Sequence, residues 1–418
     1  MRDSFNRRWP GVVAAGLVLA AATACGVPVA APPAPAALIE APTAQPTQSA
    51  TTGATPEDFG AVGDGRSDDT EALQAAVAAL APGETLTLPA GKVYRHSQVL
   101  TVATPDITLA GTGTLLATDE EQSAVYLAAD GITVDGPTFA MADTTGRWVA
   151  FEQMKLRLGR FVGITVRNVV IDGSAAAGIY VGGASDFTIT GATVRNTRAD
   201  GIHMTGGSRG GTVSDSQITA PGDDGVAVVS YRNDSRPVSD ITVTATHVTD
   251  QLWGRGFSVV GGERITYRGV SATTTAGAAV YIAAEAEFDT YGVTDVLVED
   301  AELVNANQQA DTDAMQRPSP DEGQVIHGAV TVYNSQSDAS IAGVTMRNLR
   351  ITQTNPDAAN QVLLRNTSSG TLTGVTLEDV AISEGALDDL AVSGVPESAY
   401  RTADWSMAGQ ALPDYPAG

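Results

Sequence analysis

Cysteine, basic residues and aromatic residues are all scarce in this sequence. Cys25 is the only cysteine among 418 residues, so no disulfide can form within the chain. The 24 Lys and Arg face 48 Asp and Glu, and no stretch of the sequence forms a basic patch. Because such a chain repels nucleic acid and anionic surfaces, we expect no nucleic-acid partner. Aromatic residues make up 5% of the chain, whereas Gly, Val, Thr and Ala are abundant, which favours short strands and tight turns.

The N-terminus has the pattern of an export signal. The basic start "MRDSFNRRWP" precedes the apolar run "GVVAAGLVLAAA", which is too short to cross a bilayer, and then the small residues of "ATAC". Cys25 occupies the position of the lipidated cysteine in a lipobox, although Ala22 replaces the usual leucine. We expect a signal peptide over residues 1–25 and a lipid anchor on Cys25. The alternative is cleavage near Ala24, which would release a secreted protein.

Residues 26–56 are rich in Pro, Ala and Thr and lack periodicity, which predicts an extended tether. Beyond them, one short segment recurs at intervals of about 24 residues, or somewhat longer where a loop is inserted. It ends in most cases in Asn, Asp or Gly, residues that tolerate a left-handed turn. The recurring segments end at Asn168, Gly191, Asp215, Ala245, Gly269, Asp300, Asn348 and Asp379.

A second segment recurs in step with the first, as in "GIYV", "GIHM", "GVAV" and "GFSV". Its second and fourth residues are apolar, so they should face the core while the third faces outward. Strands that recur once per repeat without intervening helices predict an all-β fold, a single-stranded right-handed parallel β-helix. A β-sandwich would need hairpin signals that we do not find. We expect the β-helix over residues 57–395 and a tail or cap over 396–418.

An open end of such a coil needs a cap, because its strand edge would otherwise pair with another chain. The stretch "SDDTEALQAAVAAL" has helical periodicity after a capping residue, which predicts a short N-terminal capping helix. Together with "DFGAVGDG" it resembles the opening motif of the pectate-lyase-like and polygalacturonase-like β-helix families. That resemblance is informative about architecture rather than activity.

Aligning the repeats brings several polar residues onto one face. The residues before each second segment form a column in which Asp200, Asp224 and Arg255 are successive neighbours, with Asp223 offset beside Asp224. The outward third residues form a second column, in which His203 lies between Tyr180 and Ala227. Three carboxylates so close together on this exposed face would split their pKa values, as glycoside hydrolysis requires. The alternatives are aspartates that bind local backbone amides, or a Ca²⁺ site.

The aspartate motifs resemble those of polygalacturonase-type glycoside hydrolases of family 28. "RADGIHM" matches that family's Asn-Thr-Asp-Gly at Asp200, and "PGDDGVAV" matches its Gly-Asp-Asp at Asp223 and Asp224. The resemblance implies that Asp223 protonates the leaving oxygen while Asp200 and Asp224 hold and deprotonate the attacking water. The product would then be inverted, which requires an acid–base separation of about 6.5–9.5 Å.

The same comparison shows where this sequence departs from that family. Arg255 replaces the histidine of the Gly-His-Gly motif, and Tyr281 and Ala283 replace the arginine and lysine that bind a galacturonate carboxylate. A polygalacturonate substrate is therefore disfavoured, with Arg255 and two further arginines, Arg209 and Arg232, as the cations within reach. We expect a neutral or weakly charged polysaccharide or oligosaccharide. The predicted substrate-binding residues are His203, Arg255, Tyr180, Tyr231, Tyr281, Glu285 and Trp253.

Two loop insertions, residues 231–240 and 285–328, are expected to build a cleft on this face. The favoured function is an exported, monomeric glycoside hydrolase without a cofactor or metal. A polysaccharide lyase or epimerase on the same scaffold is the first alternative, and Ca²⁺ would then be the cofactor. A non-catalytic glycan-binding surface protein is the second.

Overall fold

The structure is a computed structural model that describes residues 53–308, 327–356, 358, 360–383 and 388–415. The predicted signal peptide, Cys25 and the tether as far as residue 52 lie outside these residues and stay predictions. No helix in the described part is long and apolar enough to span a membrane.

Short strands account for most of the described chain, with one α-helix, α1 (Thr70–Ala79). Single 3-10 turns occur at Pro56–Phe59, Glu120–Gln122, Phe151–Gln153 and Glu397–Ala399. The strands in chain order are β1 Asp64–Asp68, β2 Thr85–Leu88, β3 Val93–His96, β4 Leu100–Val102, β5 Thr108–Gly111, β6 Thr114–Ala117, β7 Val125–Leu127, β8 Thr133–Asp135, β9 Thr138–Met141, β10 Leu156–Leu158, β11 Thr165–Arg167, β12 Val170–Ser174, β13 Ile179–Gly182, β14 Thr188–Thr190, β15 Thr193–Thr197, β16 Ile202–Thr205, β17 Arg209–Ser214, β18 Gln217–Thr219, β19 Val226–Val229, β20 Ser239–Thr244, β21 His247–Gln251, β22 Phe257–Val260, β23 Gly262–Arg268, β24 Ser271–Thr275, β25 Val280–Ala284, β26 Val293–Val304, β27 Val330–Asn334, β28 Ser340–Thr352, β29 Asn360–Asn366, β30 Thr371–Ile382, β31 Asp388–Ser393, β32 Tyr400–Met407 and β33 Gln410–Ala411.

These strands stack in parallel, which confirms the predicted right-handed parallel β-helix. Each coil adds one strand to an 11-stranded sheet, here called sheet B, and one long or two short strands to a 22-stranded sheet, here called sheet A. Sheet B consists of β4, β7, β10, β13, β16, β19, β22, β25, β27, β29 and β31.

The register of sheet B places the repeats in the predicted phase. Tyr180 pairs with His203, and His203 pairs with Ala227, so the predicted outward column exists. It continues through Ser258, Tyr281 and Thr331 on the following coils. Sequence periodicity thus determined which residues are neighbours along the coil axis.

The turns between strands use the left-handed backbone region that the sequence indicated. All eight recurring segment ends have φ between 44° and 62°, including Ala245, a residue that lacks the side chain usual there. An Asn, Asp or Gly at most of these turns lowers the cost of repeating one left-handed residue per coil.

The N-terminal end of the coil is covered by α1, as predicted. Leu73 and Val77 on its inner face are buried against Leu100 and Val102 of sheet B, so the helix closes the apolar interior. The preceding Asp69 accepts the N–H groups of Val62 and Gly63 and thereby ties the entry loop to the helix start. At the other end, β32 pairs in parallel with β30 and in antiparallel with β33.

The upper part of the outward column is covered, contrary to expectation. Residues 230–238 and 285–292 form a flap, joined by an antiparallel bridge between Tyr231 and Thr290 and by the hydrogen bond from Tyr291 Oη to the Asp234 carbonyl. Beneath it, Ser258 and Tyr281 are at most 1% exposed. The predicted insertion over 285–328 is interrupted by β26, and its residues 309–326 lie outside the described chain.

Candidate active site

Three aspartates from two neighbouring coils meet at the edge of sheet B. Asp200 precedes β16, and Asp223 and Asp224 precede β19. One carboxylate oxygen of each lies within 4.8 Å of the other two. The limit applies to one oxygen of each carboxylate and leaves the separation of the acid and base carboxyl groups, expected at roughly 6.5–9.5 Å for an inverting enzyme, as a prediction.

Asp200 is held in its ionised form. Its Oδ1 accepts the Asp224 N–H at 2.9 Å, and its Oδ2 accepts from His203 Nδ1 at 2.6 Å. Burial opposes ionisation, but His203, Arg147 and the Asp224 N–H outweigh it and lower the pKa of Asp200. The hydrogen bond from His203 to Asp200 joins the two columns, which the sequence placed on one face.

Asp224 is buried, at 5% exposure, and not part of an exposed column as predicted. Its Oδ1 accepts the Arg255 N–H at 2.8 Å, and its Oδ2 accepts from Ser258 Oγ at 2.5 Å. Burial, with help from the Asp223 and Asp200 charges, raises its pKa to about 7 even though Arg255 lies beside it. Asp224 can therefore keep a proton near neutral pH.

Asp223 is the more exposed of the two adjacent aspartates, with 13% of its side chain accessible compared with 6% for Asp224. Burial and the charge of Asp200 raise its pKa, while the guanidinium groups of Arg147 and Arg255 act in the opposite direction. Arg147 Nη2 lies 2.5 Å from Asp223 Oδ2. Asp223 and Asp224 both have raised pKa values, and a carboxylate oxygen of each lies within 4.8 Å of the other, so the two groups titrate as a coupled pair.

Arg147 is a site residue that sequence reasoning missed. It lies on the irregular connection between β9 and β10, which Arg198 anchors by donating to Thr144 Oγ1 at 2.7 Å and to its carbonyl at 2.8 Å. The connection belongs to a coil far from the aspartates in sequence, and its residue phase is not periodic. Its unusual length, between "TFAM" and "LRL", was the available signal.

Arg255 contacts two carboxylates and an aromatic ring, and its predicted role in substrate binding stays a prediction. Its guanidinium lies 4.2 Å from the centroid of the Tyr281 ring, 3.5 Å from Glu285 Oε1 and 3.8 Å from Asp224 Oδ1. Tyr281 donates its hydroxyl to Glu285 Oε1 at 2.7 Å. Tyr281 is 1% exposed, so its ring does not present the open face expected for a sugar, and Glu285 is 9% exposed.

Tyr180, Tyr231 and Trp253 are half-buried and lie around the aspartates. The Tyr180 ring stacks on His203, with centroids 5.4 Å apart and planes 4° from parallel. Arg147 lies 5.4 Å from the Trp253 ring centroid. The phenol of Tyr231 has a raised pKa, caused by burial and then by Asp200. These rings remain the accessible aromatic surfaces beside the carboxylates.

The two further arginines expected near the site are placed differently from one another. Arg232 is fixed within the flap, where it binds Asp338 at 2.5 Å and donates to the Thr290 carbonyl. Arg209 lies at the opposite end of the sheet B strands, beside a separate cavity. Neither contacts the aspartates.

Residues 56–279, which include all three aspartates, match the family described as rhamnogalacturonase A/epimerase, pectate lyase-like. The chain belongs to this family. The match covers more than half of the sequence and confirms the pectate-lyase-like resemblance, whereas the more specific resemblance to family 28 is not confirmed. No curated protein matches the sequence.

Solved structures share the fold of this family member at low sequence identity. The catalytic unit of a GH87 α-1,3-glucanase from Streptomyces thermodiastaticus is 17% identical, with a TM-score of 0.60 over 87% of this chain and 70% of that one. A GH87 α-1,3-glucanase catalytic domain in complex with nigerose is 16% identical, with a TM-score of 0.62 over 89% and 68%. The A-module of mannuronan C-5 epimerase AlgE6 from Azotobacter vinelandii is 15% identical, with a TM-score of 0.57 over 86% and 100%. At these identities the comparisons establish the β-helix fold.

Proposed function

We propose that this protein is a glycoside hydrolase that cleaves a polysaccharide or oligosaccharide with Asp200, Asp223 and Asp224. The observation that carries the proposal is that the pKa of Asp200 is lowered while those of Asp223 and Asp224, in the same cluster, are raised. Asp200 is held ionised by His203, while burial keeps a proton on the Asp223–Asp224 pair. Acid and base in one site are what hydrolysis of a glycosidic bond needs.

Within this proposal Asp223 protonates the leaving oxygen, because its side chain is more accessible than that of Asp224. Asp200 and Asp224 orient and deprotonate the attacking water. Arg147 contacts Asp223 directly and limits the rise of its pKa, so that the acid can also release its proton. The family-28 resemblance implies inversion, which stays a prediction. Proton NMR of the first anomer released measures the stereochemical outcome.

A neutral glycan backbone at the point of cleavage fits the charges of the site. Arg147 and Arg255, the arginines around the three aspartates in the described chain, each lie against a carboxylate, and His203 is hydrogen-bonded to Asp200. Positions 281 and 283 carry Tyr and Ala, which add no charge. That solved relatives in fold include α-1,3-glucanases supports a neutral glucan as the first substrate to test.

The decisive experiment compares Asp223→Asn with Asp215→Asn on a panel of neutral and acidic polysaccharides. Asp215 is an exposed turn aspartate of the same coil region, so it controls for the general effect of the substitution. We expect Asp223→Asn to lower the hydrolysis rate by about 10²–10⁴, because general acid catalysis contributes that much. Equal rates in the two variants would refute the proposed role of Asp223. Tight glycan binding without turnover in the wild type would indicate the non-catalytic alternative.

A lyase or epimerase is the second candidate, and the close set of three carboxylate oxygens is the observation that favours it. Ca²⁺ takes about 6–8 oxygen ligands, whereas two arginines already compensate these carboxylates. The residues present therefore fit calcium poorly, and we derive no step through it. Products that absorb in the ultraviolet, lost on addition of a chelator, would favour the lyase.

A further inference from the structure

A second concave site lies on the same face, at the other end of the sheet B strands. It is a cavity of about 230 Å³ to which three coils and the flap contribute. Its polar lining consists of Arg160, Arg209, Arg236, Ser185 and Ser235.

The three arginines are unusual in a chain with a net charge of −24. Each is exposed, and no ion pair within the described residues reaches any of them, although nine other arginines of this chain pair with carboxylates. The acidic residue of the adjoining loop, Asp234, has a pKa that burial raises and that the nearby Arg160 charge lowers, so one carboxyl group faces three arginines here. The cavity is therefore a local positive region on an acidic protein.

Two glycines make room for the arginine side chains. Gly183 and Gly207 both have φ in the left-handed region, at 86° and 73°. A Cβ would lie 2.7 Å from Arg160 Cγ at Gly183 and 2.8 Å from Arg236 Cγ at Gly207. The apolar stems of these arginines thus pack on bare backbone, and their guanidinium groups are held at the rim.

The cavity and the aspartates lie at opposite ends of the same strands. Asp200 lies two residues before β16 and Gly206 directly follows it, so six residue steps of about 3.3 Å separate the two sites by roughly 20 Å along the strand. The stacked rings of Tyr180 and His203 lie between them on the same face. An extended ligand along the strands would contact both sites with different sugar units.

We propose that this cavity binds an acidic substituent, a carboxylate or sulfate, on the glycan whose neutral backbone is cleaved at the aspartates. Guanidinium groups match the planar carboxylate and the sulfate oxygens through paired N–H donors. That the ligand is a glycan rests on the proposed function. The positive charge is confined to the cavity, so the cavity adds specificity for an acidic substituent without making the whole protein attract polyanions.

The test is binding, measured by affinity electrophoresis through gels that contain matched polysaccharides. Dextran and dextran sulfate differ only in sulfate, and methyl-esterified and free polygalacturonate differ only in the carboxylate charge. The protein carries Asp223→Asn in every lane, so that hydrolysis does not alter the gel. The arginine variant is Arg160→Gln with Arg209→Gln and Arg236→Gln, and the control is Arg66→Gln, an exposed arginine at the N-terminal end.

We expect at least one acidic polymer to retard the parent protein more than its neutral counterpart does. The triple variant should bind that acidic polymer about tenfold more weakly, so that the difference between the two polymers disappears. The Arg66→Gln protein should behave as the parent. Equal retardation by acidic and neutral polymers, or a triple variant that keeps the difference, would overturn the proposal. Protection from heat by inorganic sulfate without retardation by either polymer would show a free-anion site and overturn it as well. Because the assay needs no turnover, its outcome is independent of whether Asp223 proves to be catalytic.

Discussion

Lys155 is a buried base whose replacement should stabilise the protein. It is one of two lysines in the chain and lies 0% exposed beside the start of β10, where Nζ donates to the Ser123 carbonyl at 3.1 Å. Burial lowers its pKa from the usual 10.5 to about 7. Folding at neutral pH must therefore remove a proton that the unfolded chain holds.

The cost follows from the size of that shift. Each pH unit between the two pKa values is worth about 1.4 kcal/mol, so the buried lysine destabilises the fold by about 4 kcal/mol at pH 7. Since the folded pKa is below the unfolded one, the penalty is fully present below about pH 7 and disappears as the pH rises through 10.5. Lys155→Met removes it and forfeits one hydrogen bond, worth about 1 kcal/mol. We expect a net gain of about 3 kcal/mol at pH 7.

Urea unfolding at pH 7 and near pH 10 measures this effect. The difference between Lys155→Met and the wild type isolates the lysine from the other titrating groups, and it should shrink strongly at the higher pH. Lys92→Met is the matched control, because Lys92 is 40% exposed and pairs with Glu57 on the surface. A stability difference for Lys155→Met that is unchanged between the two pH values would refute the reasoning.

Three further predictions concern the site and the anchor. The hydrolysis rate should fall above about pH 7 as the Asp223–Asp224 pair loses its proton. Arg147→Gln should move this fall to higher pH, because it removes a cation from Asp223. A pH–rate profile that does not move would contradict the effect of Arg147 on Asp223. Gly254→Ala should lower activity by tenfold or more and also lower the urea midpoint, since the new Cβ would lie against the Oδ1 atoms of both aspartates and 2.7 Å from the Asp223 backbone carbon; full activity would contradict it. Cys25→Ser should move the protein from the membrane fraction to the medium if the predicted lipid anchor exists, and an unchanged fractionation would contradict the anchor.

The fold and the order of the site columns could be predicted from the sequence because both are periodic. One residue position per coil recurs at nearly constant spacing, and strands stack at a fixed distance, so Asp200 and Asp224 had to be neighbours. The capping helix was visible for a related reason, since its apolar spacing differs from that of the strands. The left-handed turns were marked by the residue types that tolerate them.

What only the tertiary structure decided is how the non-periodic segments cross these columns. Tyr281, which the alternation of its strand had assigned to the surface, is 1% exposed and packs in a cluster with Tyr231 of the flap and Tyr333. Arg147 reaches Asp223 from a distant connection, and Arg160, Arg209 and Arg236 form a positive cavity in a sequence without a basic patch. The path of a loop depends on packing between residues far apart in sequence, and the repeat carries no information about that packing. The coil, in contrast, repeats one local geometry, so the pattern of one turn predicts the next.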